Sequence, residues 1–211
     1  MISNKKHIIF DWNGTLIDDA NIFVDVLNVL LSRRKLDKIN LQIYRDLFCF
    51  PIIDFYKKIG LDVSRDAFSQ LKKEFVAEYK KRQYVAKLFP QSIDVLKKIL
   101  ENNISLSLLS ASHQSTLNNL TKFYSIDGFF QHIVGVNNYI ANGKIQQGVQ
   151  LLGDLKFKKS ELLLIGDTIL DYDVSRALGV DCVLISHGHQ SIEQLQDCNN
   201  IIIQSFDMLF E

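Results

Sequence analysis

Apolar residues along the chain fall into two patterns. Short, nearly unbroken runs occur at His7-Ile8-Ile9-Phe10, Ile104 to Leu109, Ile133 to Val136, Leu162 to Ile165, Cys182 to Ile185 and Ile201 to Ile203. Runs of this length with no polar alternation predict strands buried on both faces. From the second run onward, segments of helical period lie between them, at Ser115 to Tyr124, Lys144 to Phe157 and Asp171 to Leu178. This alternation predicts an α/β fold, a Rossmann-like doubly wound parallel sheet with helices on both faces.

The segment between the first two runs breaks the rhythm. From Asp19 to Leu88 no stretch reads as a sheet strand. Ala20 to Arg34 is strongly apolar without Gly or Pro, which predicts a helix buried on much of its surface, inside this segment or against a second copy. Asn40 is placed to cap a second helix beginning at Leu41. Ser64 is placed to cap a third, with Phe68, Leu71, Phe75 and Tyr79 along one face. Pro90 then opens a helix, Ile93 to Leu100, that returns the chain to the sheet. The expected division is an α/β core of residues 1–18 and 89–211 and an inserted helical subdomain of residues 19–88.

Composition narrows the function. The 211 residues carry 24 Lys+Arg against 24 Asp+Glu, so no net charge draws the chain to nucleic acid or anionic lipid. No apolar run reaches the roughly 18 residues of a membrane span. Met1 to Lys6 precedes only a short apolar run, not a signal-peptide core, and a cytoplasmic location is expected. Cys49, Cys182 and Cys198 share no metal-binding spacing and read as reduced thiols.

Open parallel sheets bind ligands beyond the carboxyl ends of their strands. The residues there are Asp11, Asn13 and Thr15 after the first strand, Ser110, Ser112 and His113 after the second, and Asp167, Thr168 and Asp171 after the fourth. Carboxylates converging on one edge repel unless a cation sits among them, and all-oxygen ligands suit Mg²⁺. His187-Gly188-His189 follows the fifth strand. It has no apparent third metal ligand and reads as a polar loop.

These residues resemble the motifs of the haloacid dehalogenase superfamily, most closely its phosphoglycolate-phosphatase-like members with a helical cap after the first strand. The first motif, Asp-x-Asp-Gly-Thr-Leu-x-Asp, reads here as Asp11-Trp12-Asn13-Gly14-Thr15-Leu16-Ile17-Asp18. The second, a Ser or Thr ending a strand, is met by Leu108-Leu109-Ser110. A Lys upstream of the fourth strand is best met by Lys144 in Asn142-Gly143-Lys144, and Gly-Asp-x-x-x-Asp is Gly166 to Asp171. Phe89-Pro90 and Arg176-Ala177-Leu178-Gly179 are similar to the family too. The likeness covers nearly the whole chain.

The resemblance implies a Mg²⁺-dependent phosphatase acting on a small phosphorylated metabolite. Asp11 is then the nucleophile that forms an aspartyl-phosphate. Mg²⁺ is held by Asp11, the backbone carbonyl of Asn13 and Asp167, with Asp171 supporting. Lys144 neutralises phosphoryl charge, and Thr15, Ser110, Ala111 and the first loop's N–H groups form the phosphate grip. Asp18 caps the next helix or sits at the cap hinge. The aromatic stretch Phe48 to Tyr56, with Arg45 nearby, packs the cap or faces the site.

Asn13 departs from the pattern. The family's phosphatases carry an Asp there that protonates the leaving oxygen and then activates water, which an amide cannot do. Three readings stay open: a phosphate-ligand-binding or regulatory protein with little or no turnover, a substrate whose leaving group needs no proton, or proton transfer by a neighbour such as His113.

Overall fold

The computed structural model describes residues 1–137 and 143–211. Six strands form one parallel sheet: β1 (His7–Phe10), β4 (Ser105–His113), β5 (His132–Val136), β6 (Leu162–Gly166), β7 (Asp181–Ile185) and β8 (Ile201–Ile203). Their order is β5-β4-β1-β6-β7-β8. The chain leaves β1 to build one half of the sheet and crosses back to build the other, so β1 sits at the point where the winding reverses. A crevice at the carboxyl edge follows from that topology.

The predicted runs become strands because both faces are covered. Ile8, Phe10, Leu106, Leu108, Leu163, Ile165, Val183 and Ile185 enter one apolar cluster. Their sheet neighbours Ile9, Leu109, Leu162, Leu164, Cys182 and Leu184 enter the other. Adjacent residues of a strand point to opposite faces, so an unbroken apolar run supplies two cores at once. Helices α5 (Ser92–Glu101), α6 (Gln114–Phe123), α7 (Gly143–Asp154) and α8 (Ile169–Leu178) flank the sheet, within a few residues of the predicted bounds. Gly179 ends α8 in the left-handed conformation at φ 71°.

Four helices stand between β1 and α5: α1 (Ala20–Arg33), α2 (Leu41–Leu47), α3 (Ile52–Lys58) and α4 (Arg65–Arg82). α1 buries Ala20, Ile22, Val24, Val26, Leu27, Leu30 and Leu31 and packs on α2 and α4 of its own chain. Arg33 and Arg34 pair with Glu74 and Glu78 across the α1–α4 seam. Asn40 caps α2 as expected, accepting from the Ile43 N–H at 2.8 Å. Ser64 stands at the start of α4, but its hydroxyl goes to Asp62 instead of a helix N–H.

The expectation of no strand from Asp19 to Leu88 needs correcting only at its end, where Lys87 and Leu88 form one. Two-residue strands β2 (Ile17–Asp18) and β3 (Lys87–Leu88) pair antiparallel at the stalks of the helical insertion. Strands this short carry no periodicity for sequence to show. Asp18 lies exposed in β2, and Asp19 takes the helix-start position without a side-chain cap bond. Helices α3 and α9 (Ile192–Gln196) were also unpredicted; α3 lies within the aromatic stretch. Among the described residues no helix is long and apolar enough to cross a membrane.

Candidate active site

Asp11 is the first residue beyond β1, and its N–H donates to the Ile165 carbonyl of β6 at 2.8 Å. Asp167 follows β6 directly, and Asp171 lies in the first turn of α8. Ligand oxygens of these three buried carboxylates lie within 4.8 Å of one another. Lys144, at the start of α7, is 2 % exposed. Its ammonium stands 2.7 Å from Asp11 and 2.5 Å from Asp171. The sequence-predicted carboxylates and lysine therefore meet at the sheet edge, although 160 residues separate Asp11 from Asp171. Asn142 of the lysine motif lies outside the described residues.

Each acid is held differently. Asp167 accepts from Thr15 Oγ1 at 2.9 Å and from the His189 N–H at 2.7 Å. Asp171 turns one oxygen to the Thr168 N–H and hydroxyl, closing a capping box, and the other to Lys144. A helix cap and a site carboxylate are thus the same residue. Backbone comes very close here. Gly14 adopts φ +70°, and a Cβ on it would collide with Asp167 and His189.

The set fits a divalent cation. All donors are oxygens, as Mg²⁺ prefers. Among the described residues Lys144 is the ammonium paired here, with Asp11 and Asp171, so the three buried carboxylates outnumber it. Burial pushes the Asp11 carboxyl well above the usual carboxylate range; Lys144 pulls it back, while Asp171 and Asp167 push it further. Burial likewise raises Asp167, with Asp171 adding to it. For Lys144, burial opposes the charged form, but Asp11 and Asp171 outweigh it and hold the ammonium protonated.

The other expected residues take definite places. Thr15 is fully buried and spends its hydroxyl on Asp167, so it orients an acid and does not reach open space. Ser110 is buried, and its oxygen accepts from the Ser112 N–H at 3.1 Å. Ala111 is exposed at the same strand end. His113 starts α6, with Nδ1 at 2.9 Å from the Ser115 hydroxyl. Asn13 is gripped on every polar side. Its Oδ1 accepts from Ser112 Oγ at 2.6 Å, and its Nδ2 donates to Asp19 at 2.6 Å and the Tyr79 hydroxyl at 3.2 Å.

A buried network missed by sequence reasoning lies behind Asn13. Asp19 accepts from the Gly14 N–H at 3.1 Å, Tyr79 at 3.0 Å and His189 Nε2 at 3.1 Å, besides Asn13. The Tyr44 hydroxyl meets His189 Nδ1 at 2.7 Å. Burial disfavours a charged His189, yet the hydrogen bond and charge of Asp19, with Asp167 and Asp11 behind it, raise its pKa. Residues 187–189 form the expected polar loop, but His189 is 3 % exposed, so the loop is packed into the protein. His187 stacks on Phe89 with centroids 3.7 Å apart, and burial lowers its pKa to about 4. The available signal was position: these histidines follow a strand at the same sheet edge as Asp167.

The helical insertion reaches this loop. Arg45 of α2 donates to the Gly188 carbonyl at 2.8 Å and the His187 carbonyl at 2.6 Å. The Phe48 ring lies 5.6 Å from His189, and Phe48, Phe55 and Tyr56 are buried. The aromatic stretch therefore packs the insertion and also backs the site.

Residues 8–185 match the family model of haloacid dehalogenase-like hydrolases, which covers most of the chain. The chain belongs to the haloacid dehalogenase-like hydrolase family. Solved structures share the fold along its whole length. A haloacid dehalogenase-like family hydrolase from Streptococcus pneumoniae superposes with a TM-score of 0.84 at 24% identity, over 99% of this chain and 98% of that one. A protein described as a predicted phosphoglycolate phosphatase from Haemophilus somnus gives 0.79 at 17% identity, over 100% and 99%. Protein Tyrosine Kinase A from Mycobacterium tuberculosis gives 0.82 at 19% identity, over 98% and 97%. None of the curated proteins matches the chain in sequence.

Proposed function

We propose that this member of the family is a Mg²⁺-dependent phosphatase that hydrolyses a small phosphorylated metabolite through an aspartyl-phosphate on Asp11. The observation that carries the reading is the meeting of Asp11, Asp167, Asp171 and Lys144 in one buried cluster. Structural neighbours described as phosphatases support it.

Asp11 attacks phosphorus with a carboxylate oxygen. Lys144 lies on Asp11 and offsets negative charge as the phosphoryl group approaches. Ser110 and first-loop N–H groups other than those of Asp11, Gly14 and Thr15, which serve Ile165, Asp19 and Trp12, bind phosphoryl oxygens, with Ala111 at the exposed strand end beside them. Asp11, the Asn13 carbonyl and Asp167 would hold Mg²⁺, with Asp171 in support. Bound there, the ion supplies the positive charge that lets two anions meet. Thr15 and the His189 N–H keep Asp167 turned to that task. Residues 19–88 act as the cap over a core of 1–18 and 89–211, excluding water. Free cysteines at 49, 182 and 198 support a cytoplasmic setting.

The test is release of phosphate from an aryl phosphate with Mg²⁺ or with chelator, in wild type and Asp11→Asn. Turnover that needs both the ion and Asp11 is expected. Undiminished turnover in Asp11→Asn would overturn the assignment. No turnover in wild type would favour a phosphate-binding protein.

A further inference from the structure

The surroundings of Asn13 bear on which phosphates the site can use. In-line displacement puts the leaving oxygen opposite Asp11, away from the core that grips the phosphoryl group. That direction leads toward the helical insertion. Asn13, two residues beyond Asp11, stands on that side, tied to Tyr79 of α4 and to Asp19 at the foot of α1. An amide has no proton to give near neutral pH.

The groups that touch its side chain turn their protons to one another. Ser112 donates to Asn13, Tyr79 donates to Asp19, and His189 Nε2 faces Asp19. Asp19 accepts from four donors and serves as an acceptor only. The pocket is also built for an amide. A carboxylate at position 13 would face Asp19 at hydrogen-bond distance, like charge against like.

We infer that the substrate, on the reading of the previous subsection, is an acyl or aryl phosphate whose leaving oxygen departs as a stabilised anion, and that the aspartyl-phosphate accumulates. In the first step a bond forms between Asp11 Oδ and phosphorus while the phosphorus–oxygen bond breaks. Its electron pair leaves on a carboxylate or phenolate that takes no proton. Their conjugate acids have pKa values of about 4 and about 10, far below that of an alcohol, which is why an alkoxide cannot leave this way. In the second step water attacks phosphorus, the electron pair returns to Asp11, and the water's proton passes to the departing phosphate. Without a base at position 13 this step is the slow one.

Stopped-flow mixing of the protein and Mg²⁺ with p-nitrophenyl phosphate, and separately with acetyl phosphate, tests the inference. The aryl arm is read by p-nitrophenolate release, and both arms by intact mass after acid quench. A burst of about one equivalent followed by slow turnover is expected, with the mass of one phosphoryl group retained on most of the protein and absent in Asp11→Asn. Alkyl phosphates should react at least about a hundredfold more slowly, the scale of general acid catalysis. Response to only one of the two arms would assign the leaving group as carboxylate or phenolate.

The exchange variant Asn13→Asp with Asp19→Asn keeps the contact but reverses its polarity. It should speed dephosphorylation and raise alkyl phosphate turnover by about a hundredfold. Wild type that hydrolyses alkyl and aryl phosphates within about tenfold of each other, or turns over without retained phosphate, overturns the inference while leaving the phosphatase reading intact. Absence of any Asp11-dependent product overturns both.

Discussion

Replacing Lys144 with Met tests the electrostatics of the cluster without reference to catalysis. Methionine fills a similar volume, so packing is nearly kept while the one ammonium facing Asp11 and Asp171 is lost. Both acids are buried, so water replaces the lost ammonium poorly. Removing one partner of a buried ion pair costs about 3–5 kcal/mol, because the other charge is left uncompensated. For a chain of this size each kcal/mol lowers Tm by about 2–4 °C, giving a fall of about 6–20 °C in metal-free buffer at pH 8. The penalty should shrink as pH falls. Asp11 and Asp167 have folded-state pKa values above their unfolded ones, so protonation relieves the native state more than the unfolded chain. Mg²⁺ should restore stability, by about 2.7 kcal/mol at a hundredfold excess over Kd. Thermal melts at pH 5 and pH 8, with and without Mg²⁺, measure all of this. A loss under about 1 kcal/mol that ignores pH and Mg²⁺ would refute the claim that this lysine is the cluster's internal counter-ion.

Four more outcomes follow from the same contacts. Gly14→Ala should destabilise by about 2–5 kcal/mol in urea melts, combining left-handed backbone strain with overlap on Asp167 and His189. The metal-free wild type should lose stability as pH rises from about 4 towards neutrality, since two acids with raised native pKa values ionise there. Mg²⁺ binding at pH 6 should release protons, seen by calorimetry in buffers of different ionisation enthalpy, and release should fade at pH 8.5. Arg45→Ala should lower stability by about 1.5–3 kcal/mol in the same melts, because two loop carbonyls lose a charged donor.

Much of this site was legible in the sequence because parallel-sheet topology turns strand ends into neighbours. Asp11, Asp167 and Ser110 could be placed at one edge by noting which residue follows each buried run. Lys144 and Asp171 followed from the motif. The insertion showed itself as a stretch with helical but no strand pattern. Other features left no periodic trace. The β2–β3 pair is two residues long on each side. Asp18 was the expected helix-start acid, whereas its neighbour Asp19 turns a carboxylate away from the helix to gather Asn13, Gly14, Tyr79 and His189. That role depends on contacts across 60 to 170 residues, which only tertiary packing sets. His189 was read only as part of a polar loop, because its partners Asp19 and Tyr44 lie far away in the sequence.

The central claim is that Asp11, Asp167 and Asp171 form one divalent-cation site. Anomalous diffraction from crystals soaked in Mn²⁺, a spectroscopically visible substitute for Mg²⁺, tests it most directly. A single strong peak is expected at about 2 Å from oxygens of Asp11 and Asp167, lost in Asp167→Asn crystals. Peaks at other surfaces with none between these carboxylates would contradict the account.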